Sequence, residues 1–338
     1  MKVGVDARAL LAGRGVARFT RGLLAALADG HGDDQWLAFV PGRAPVAPVH
    51  PRVTLVRHRL GGRALFGAAG LARRPTLAGL LGGVDVAWVP APAPVAPGAP
   101  YVLTVHDRSW EQRPQDFSAY ERAWHRAARP RALAHGAAAV TTDSHAVAAE
   151  LRAAWGVQAT VVSPGVDGGP SAAPAPGAVP APERYLLFVG ARDARKGLDV
   201  AIAAHQRARA GGLEAELVVV GDGLRRVDDA ELAALYSGAL AVVAPSHLEG
   251  FGLVALEAAA HGTPAVVSDL PCFAETLGDA ALRVPVGDAG ALADALLRIA
   301  GDDALRARLG AAARERSALY TWARAAAALH PLLARAAT

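Results

Sequence analysis

Short runs rich in Val, Leu and Ala alternate with longer stretches of helical period along nearly the whole 338-residue chain. This alternation is the strongest constraint on the fold. Strands separated by helices pair in parallel, because each helix carries the chain back across the sheet before the next strand begins. In the first half the pattern predicts strands at 2–5, 37–40, 53–56, 84–89, 101–105, 138–142 and 160–162. Helices are predicted at 16–29, 65–72, 75–81, 119–134 and 145–155, the last with Asp143 or Ser144 as its N-cap. The stretch GVDGGPSAAPAPGAVPAPER (165–184) has almost no large apolar residue and reads as a linker. The pattern then restarts, with strands at 185–189, 216–220, 240–244, 264–267 and 282–284. Helices follow at 198–210, 230–237, 253–261, 290–301, 303–317 and 322–336. The expected fold is α/β, with two Rossmann-like doubly wound domains facing a cleft. Residues 1–167 form the N-terminal domain, 168–184 the linker, 185–320 the C-terminal domain, and 321–338 a last helix that packs back on the first domain.

Composition narrows the setting. Cys272 is the single cysteine, so no intrachain disulfide and no cysteine metal cluster can form. A reducing, cytoplasmic location is the simplest expectation. No apolar run reaches the ~18–20 residues of a membrane span. The opening MKVGVDARAL lacks the apolar core of a signal peptide. Arginine appears 33 times, lysine twice and asparagine never. Lys196 therefore stands out as a position that keeps an ammonium in a chain that otherwise uses guanidinium. Charge is uneven: residues 1–167 carry 19 Lys/Arg against 12 Asp/Glu, and residues 168–338 carry 16 against 19. The basic half is compatible with an anionic acceptor or a membrane surface. Zinc-finger spacing and aromatic–basic ribonucleoprotein patterns are absent, which argues against nucleic acid.

The chemistry concentrates in PSHLEGFGLVALEAAAHGTPAVVSD, residues 245–269. A strand ends at Pro245–Ser246. Gly250 and Gly252 allow a sharp turn and close approach of a ligand to the backbone. The helix from about Leu253 then offers unpaired N–H groups and a positive dipole end, a site suited to phosphate. Glu257 lies one turn into that helix and leans back toward its start. Glu249 lies before it. One turn can thus hold phosphate oxygens by N–H groups and two sets of hydroxyls by carboxylates, as a nucleotide sugar would require.

The run E-G-F-G-L-V-A-L-E resembles the E-x7-E motif of the retaining nucleotide-sugar glycosyltransferases of family 4, mannosyltransferase-like members included, which have the GT-B fold. Further segments are similar in order along the chain: 6–24 (DARALLAGRGVARFTRGLL), 103–110 (LTVHDRSW), 141–151 (TTDSHAVAAEL), 161–167 (VVSPGVD) and 188–199 (FVGARDARKGLD). The resemblance implies roles. Glu257 binds the ribose hydroxyls of the donor, and Glu249 contacts the transferred sugar. The backbone of Phe251, Gly252 and Leu253 holds sugar and phosphate. Lys196 neutralises the diphosphate leaving group, aided by Arg192 or Arg195. His106 sits beside the donor sugar. Gly13 and Gly15 form the loop that approaches the diphosphate or the acceptor. The chain contains no D-x-D, so no metal and no other cofactor is expected. Cationic side chains and a helix end take over the stabilisation of the departing charge.

Three departures stand out. Ala191 occupies a place where relatives have arginine. Ser163–Pro164 replaces a common Pro-Asn. LVVVGDGLRRVDDAELAALYSG is short by about one strand–helix unit after Gly223, at the expected border of the nucleotide base. That loss keeps a non-catalytic partner subunit open as an alternative, beside a nucleotide-sugar 2-epimerase. A Rossmann dehydrogenase fits poorly, because G-R-G-V-A-R at 13–18 lacks the third small residue. The run 101–134 resembles mannosyltransferase-like members, which makes GDP-mannose the first donor to consider and a glycan or lipid-linked hydroxyl the acceptor. The basic, apolar segment 57–81 is compatible with peripheral contact at the inner face of a membrane.

Overall fold

The computed structural model describes residues 1–11, 15–59, 61–62, 65, 67, 72–167, 181–221 and 225–338. The chain forms two compact units. The first comprises Met1–Gly165 with Thr321–Thr338, and the second Val166–Tyr320.

The first unit is built on a seven-stranded sheet with the order β3-β2-β1-β4-β5-β6-β7. Its strands are β1 (Lys2–Asp6), β2 (Gln35–Pro41), β3 (Val53–His58), β4 (Val86–Val89), β5 (Tyr101–Thr104), β6 (Ala139–Thr142) and β7 (Ala159–Val161). Every neighbouring pair is parallel. The two-residue period of a strand sends side chains to both faces, and both are covered. Trp36, Ala38 and Val40 of β2 join one core, with Val3, Val5, Trp88 and the helices Gly15–Gly30 and Trp322–Ala337. Leu37 and Phe39 of the same strand join the other, with Leu103, Leu151 and Trp155. Each fully buried large side chain contributes ~1.5–3 kcal/mol. The C-terminal helix packs against Gly15–Gly30 within this unit.

The second unit carries five parallel strands in the order β12-β11-β10-β8-β9. They are β8 (Tyr185–Val189), β9 (Glu216–Val220), β10 (Ala241–Ala244), β11 (Ala265–Ser268) and β12 (Ala281–Val284). Alternate residues again feed two cores, Leu187, Val242 and Val267 on one face, Leu186, Phe188, Val243 and Val266 on the other. Only eight residues separate Val220 from the helix Asp229–Gly238, too few for the strand–helix unit expected there, which takes ~10–12 residues. β9 is therefore the edge strand. At the two ends of this unit the Val166 N–H donates to the Tyr320 carbonyl at 3.1 Å.

The strands lie within a residue or two of the predicted runs. One helix departs from expectation: 119–134 is two helices, Ala119–Ala128 and Pro130–Gly136. Pro130 has no N–H and disfavours helical geometry in the residue before it. Arg129 accordingly sits in the left-handed region at φ 48°. Of the two N-cap candidates, Ser144 caps the helix His145–Trp155, its hydroxyl accepting from the Val147 N–H. Sequence reading missed the short helix Pro271–Thr276. The predicted helix 65–72 lies mostly outside the described residues.

Cys272 is buried in that short helix, and burial, reinforced by the Glu249 carboxylate, pushes its thiol far above the ordinary range. Native protein is expected to resist a thiol reagent at neutral pH and to label at the rate of opening. Labelling as fast as in the denatured chain would overturn this placement.

Candidate active site

β8 and β10 lie side by side, with Ala241 opposite Leu186 and Val242 opposite Leu187. The loops leaving their carboxyl ends therefore share one end of the sheet. The first passes through a 3-10 turn, Ala194–Lys196, into the helix Leu198–Ala210. The second leads from Pro245 into the helix Leu253–Ala260. Two contacts lock the loops together. The His247 N–H donates to the Arg195 carbonyl at 2.7 Å. Gly197, at φ +67°, lies so close to Pro245 that a Cβ would come within 2.2 Å of its carbonyl oxygen. Lys196 is thereby brought to Glu249, with Nζ 2.6 Å from Oε1. The Ser246 hydroxyl donates to the same oxygen at 3.1 Å. Both bonds land on Oε1, so neither uses Oε2.

The two arginines differ. Arg195 is held by Asp193, which also accepts from the Arg195 N–H at 3.0 Å. Arg192 is exposed, with no ion pair among the described residues. Arg192 is thus the guanidinium still available to a ligand. Burial alone would raise the Asp193 pKa, but the hydrogen bonds and charge of Arg195 outweigh it and hold the carboxyl below 3.8. A depressed carboxylate adds stability above its unfolded pKa and loses it as pH falls through the folded value. Denaturant unfolding should therefore show Asp193→Asn weaker than wild type at roughly pH 7, with the gap closing toward roughly pH 2. A gap unchanged in acid would mean that Asp193 acts by shape and not by charge.

Gly252 begins the Leu253–Ala260 helix at φ +88°. Glycine tolerates that angle and supplies no capping side chain, so no side-chain cap competes with an anion for the Leu253 and Val254 N–H groups among the described residues. Phe251 is buried and packs edge-on against Tyr320 with ring centroids 5.5 Å apart. It can offer a ligand only its backbone. Leu253 is half-buried at the helix start. Glu257 is 5% exposed, and the buried Tyr236 hydroxyl donates to its Oε2 at 2.8 Å. The sequence held Tyr236 in plain view, but nothing in its spacing points to Glu257.

In the first unit the register of β5 and β6 places Thr104 beside Thr141. Just past the carboxyl ends of these two strands stand His106 and Asp143, with Nδ1 2.7 Å from Oδ2. Trp88, Thr104 and Thr141 form a buried hydrogen-bonded chain beneath them. The His106 ring meets Phe19 edge-on at 4.8 Å. Burial pulls the His106 pKa down, but the Asp143 carboxylate outweighs it and leaves it above the usual histidine value. Gly15 opens the helix Gly15–Gly30, and a Cβ there would meet none of the described residues within 4 Å. Gly13 lies outside the described residues. Among the described residues no cluster of three or more His, Cys, Asp or Glu could hold a metal ion.

Two parallel α/β units of this kind define the GT-B fold of glycosyltransferases. The structure of sucrose-phosphate synthase from Thermosynechococcus elongatus matches with a TM-score of 0.71 at 23% identity, covering 99% of this chain and 95% of that one. By sequence, residues 13–168 match the model of Glycosyltransferase Family 4, and residues 224–316 that of Glycosyl transferases group 1. The phosphatidyl-myo-inositol mannosyltransferase of Mycolicibacterium smegmatis is 39% identical over 193 residues, 50% of each chain. The D-inositol 3-phosphate glycosyltransferase of Saccharomonospora viridis is 37% identical over 207 residues, 50% of this chain and 48% of that one. The chain spans about half the length of the curated relatives it matches. The structural match shows the GT-B fold, and each half of the chain is similar in sequence to a glycosyltransferase family model.

Proposed function

We propose that this protein is a retaining, metal-independent glycosyltransferase. It moves a hexose, with mannose the first choice, from a nucleoside-diphosphate sugar to a hydroxyl of a glycan, lipid-linked or small-molecule acceptor. The observation that carries this reading is the Lys196–Glu249 pair beside the uncapped start of the Leu253–Ala260 helix. An ammonium and a helix N-terminus together suit a departing diphosphate. In this reading Glu249 exchanges its bond to Lys196 for one to the sugar. Glu257, oriented by Tyr236, takes the ribose. Arg192 supplies the second cation. The names of the two relatives both carry inositol, so an inositol-bearing acceptor is the first to test. We place the reaction in the cytoplasm, with the basic first half toward an anionic or membrane-borne acceptor; no helix among the described residues is long and apolar enough to cross a membrane.

A thermal-shift panel with GDP, UDP, ADP and TDP, and their sugars, tests the donor site without added metal. One nucleotide series is expected to raise Tm, since ligand at 100 times its Kd adds about 2.7 kcal/mol. Glu257→Ala should abolish the rise for that series and increase the donor KM at least about tenfold, the loss of a charged hydrogen bond. Absence of any shift in the wild type at millimolar ligand would remove the donor site. A shift that survives in Glu257→Ala would remove Glu257 from it.

A further inference from the structure

The His106–Asp143 pair carries two polar atoms that the fold leaves unused. His106 Nε2 and Asp143 Oδ1 are both buried, and among the described residues neither has a partner at full hydrogen-bond geometry, the Pro90 carbonyl being a weak neighbour of the ring. Asp143 is 5% exposed. A buried polar atom without a partner costs ~1–3 kcal/mol. A fold that merely needed to fill this space would do so more favourably with apolar side chains. Neighbours hold the pair in place. Phe19 abuts it edge-on, and the backbone at Asp143 is pinned, its carbonyl accepting from the Ser163 hydroxyl at 3.0 Å. The two residues leave adjacent strand ends in matched register, so their separation is set by the sheet and not by a flexible loop.

We propose that Asp143 is a positioning residue: it holds His106 with Nδ1–H donated to Oδ2, so that Nε2 is presented as a preset hydrogen-bonding position for a hydroxyl or oxyanion of the bound saccharide. This rests on the glycosyltransferase reading and adds to it the residue that sets the state of His106. Burial opposes the charged ring, while Asp143, then Asp107, whose carboxylate also accepts from the Ser109 N–H and hydroxyl, and last the Pro90 carbonyl favour it. The favourable group prevails, so Nε2 carries a proton over a wider pH range and acts as a donor. Asp143 touches no reacting atom. It acts through His106.

The test has two arms. The first is nitrogen-15 NMR of the histidine side chains, with His106 assigned by the His106→Gln variant, and it needs no sugar donor. Wild type should show Nδ1 protonated throughout and a His106 midpoint about one pH unit or more above that in Asp143→Asn. A bare Nδ1 in the wild type, or equal midpoints, would overturn the proposal. Because the first of these readings uses wild-type protein, it decides the matter even where Asp143→Asn fails to fold. The second arm is transfer kinetics. Asp143→Asn should lower kcat about tenfold or more with the donor KM changed less than about twofold, and Asp143→Glu should recover part of the loss. A folded Asp143→Asn protein with unchanged kcat would likewise overturn it. If wild type transfers no sugar from any donor, the glycosyltransferase reading fails, and the NMR arm alone judges what Asp143 does to His106.

Discussion

Glu249→Ala is expected to lower kcat for sugar transfer by about 100-fold, roughly 2.7 kcal/mol of transition-state stabilisation. The carboxylate is bonded to Lys196 at 2.6 Å and to Ser246 at 3.1 Å. Removing it takes away the group proposed to meet the sugar and frees the ammonium that should meet the diphosphate. Each misplaced contact is worth a large factor, because reacting groups must be held within a fraction of an ångström. The fold itself should be little affected. Lys196 keeps 30% of its side chain exposed and can be rehydrated once unpaired. The stability change is then on the order of 1 kcal/mol or less. Turnover measured beside a melting curve separates the two effects. Full activity in Glu249→Ala would remove this residue from the reaction, and a large fall in Tm would recast it as a structural carboxylate.

Gly197→Ala should have the largest effect on stability, about 2–4 kcal/mol. Two costs combine there. The residue sits at φ +67°, where a side chain is strained, and the new Cβ would meet the Pro245 carbonyl at 2.2 Å. The obstacle is backbone and cannot rotate away. For a domain of this size the loss corresponds to a Tm decrease of roughly 5–15 °C. The displacement should also part Lys196 from Glu249, so activity falls with stability. Gly15→Ala is the matched contrast. Its Cβ would meet none of the described residues within 4 Å, so the melting curve should stay in place. If Gly15 serves close approach of the diphosphate or acceptor, activity falls in Gly15→Ala without any loss of stability. Calorimetry on both variants checks the pair, and a Gly197→Ala protein melting with the wild type would contradict the described packing of the two loops.

Much of the architecture was legible in the chain, because strand and helix periods are local properties. The parallel strands, the glycine turn before Leu253 and a cap at Asp143 or Ser144 all follow from spacing and residue type. So does the shortfall after Gly223, which is a matter of counting. Pro130 carried the signal for the broken helix at 119–134, since a proline reshapes the residue before it. Other features had no local signal. Lys196 and Glu249 are 53 residues apart, and Tyr236 and Glu257 are 21 apart. Arg192 and Arg195 are near neighbours of the same type, and only the geometry of Asp193 separates the engaged one from the exposed one.

The sequence by itself determined the periods, the turns and the residue types that chemistry at a phosphate-bearing sugar would need. The tertiary structure alone decided the partners. His106 meets Asp143 because β5 and β6 are neighbours in register, and Lys196 meets Glu249 because β8 lies beside β10. Strand order is a property of the whole sheet, set by how all its helices cover both faces at once, and no window of sequence short enough to read contains it.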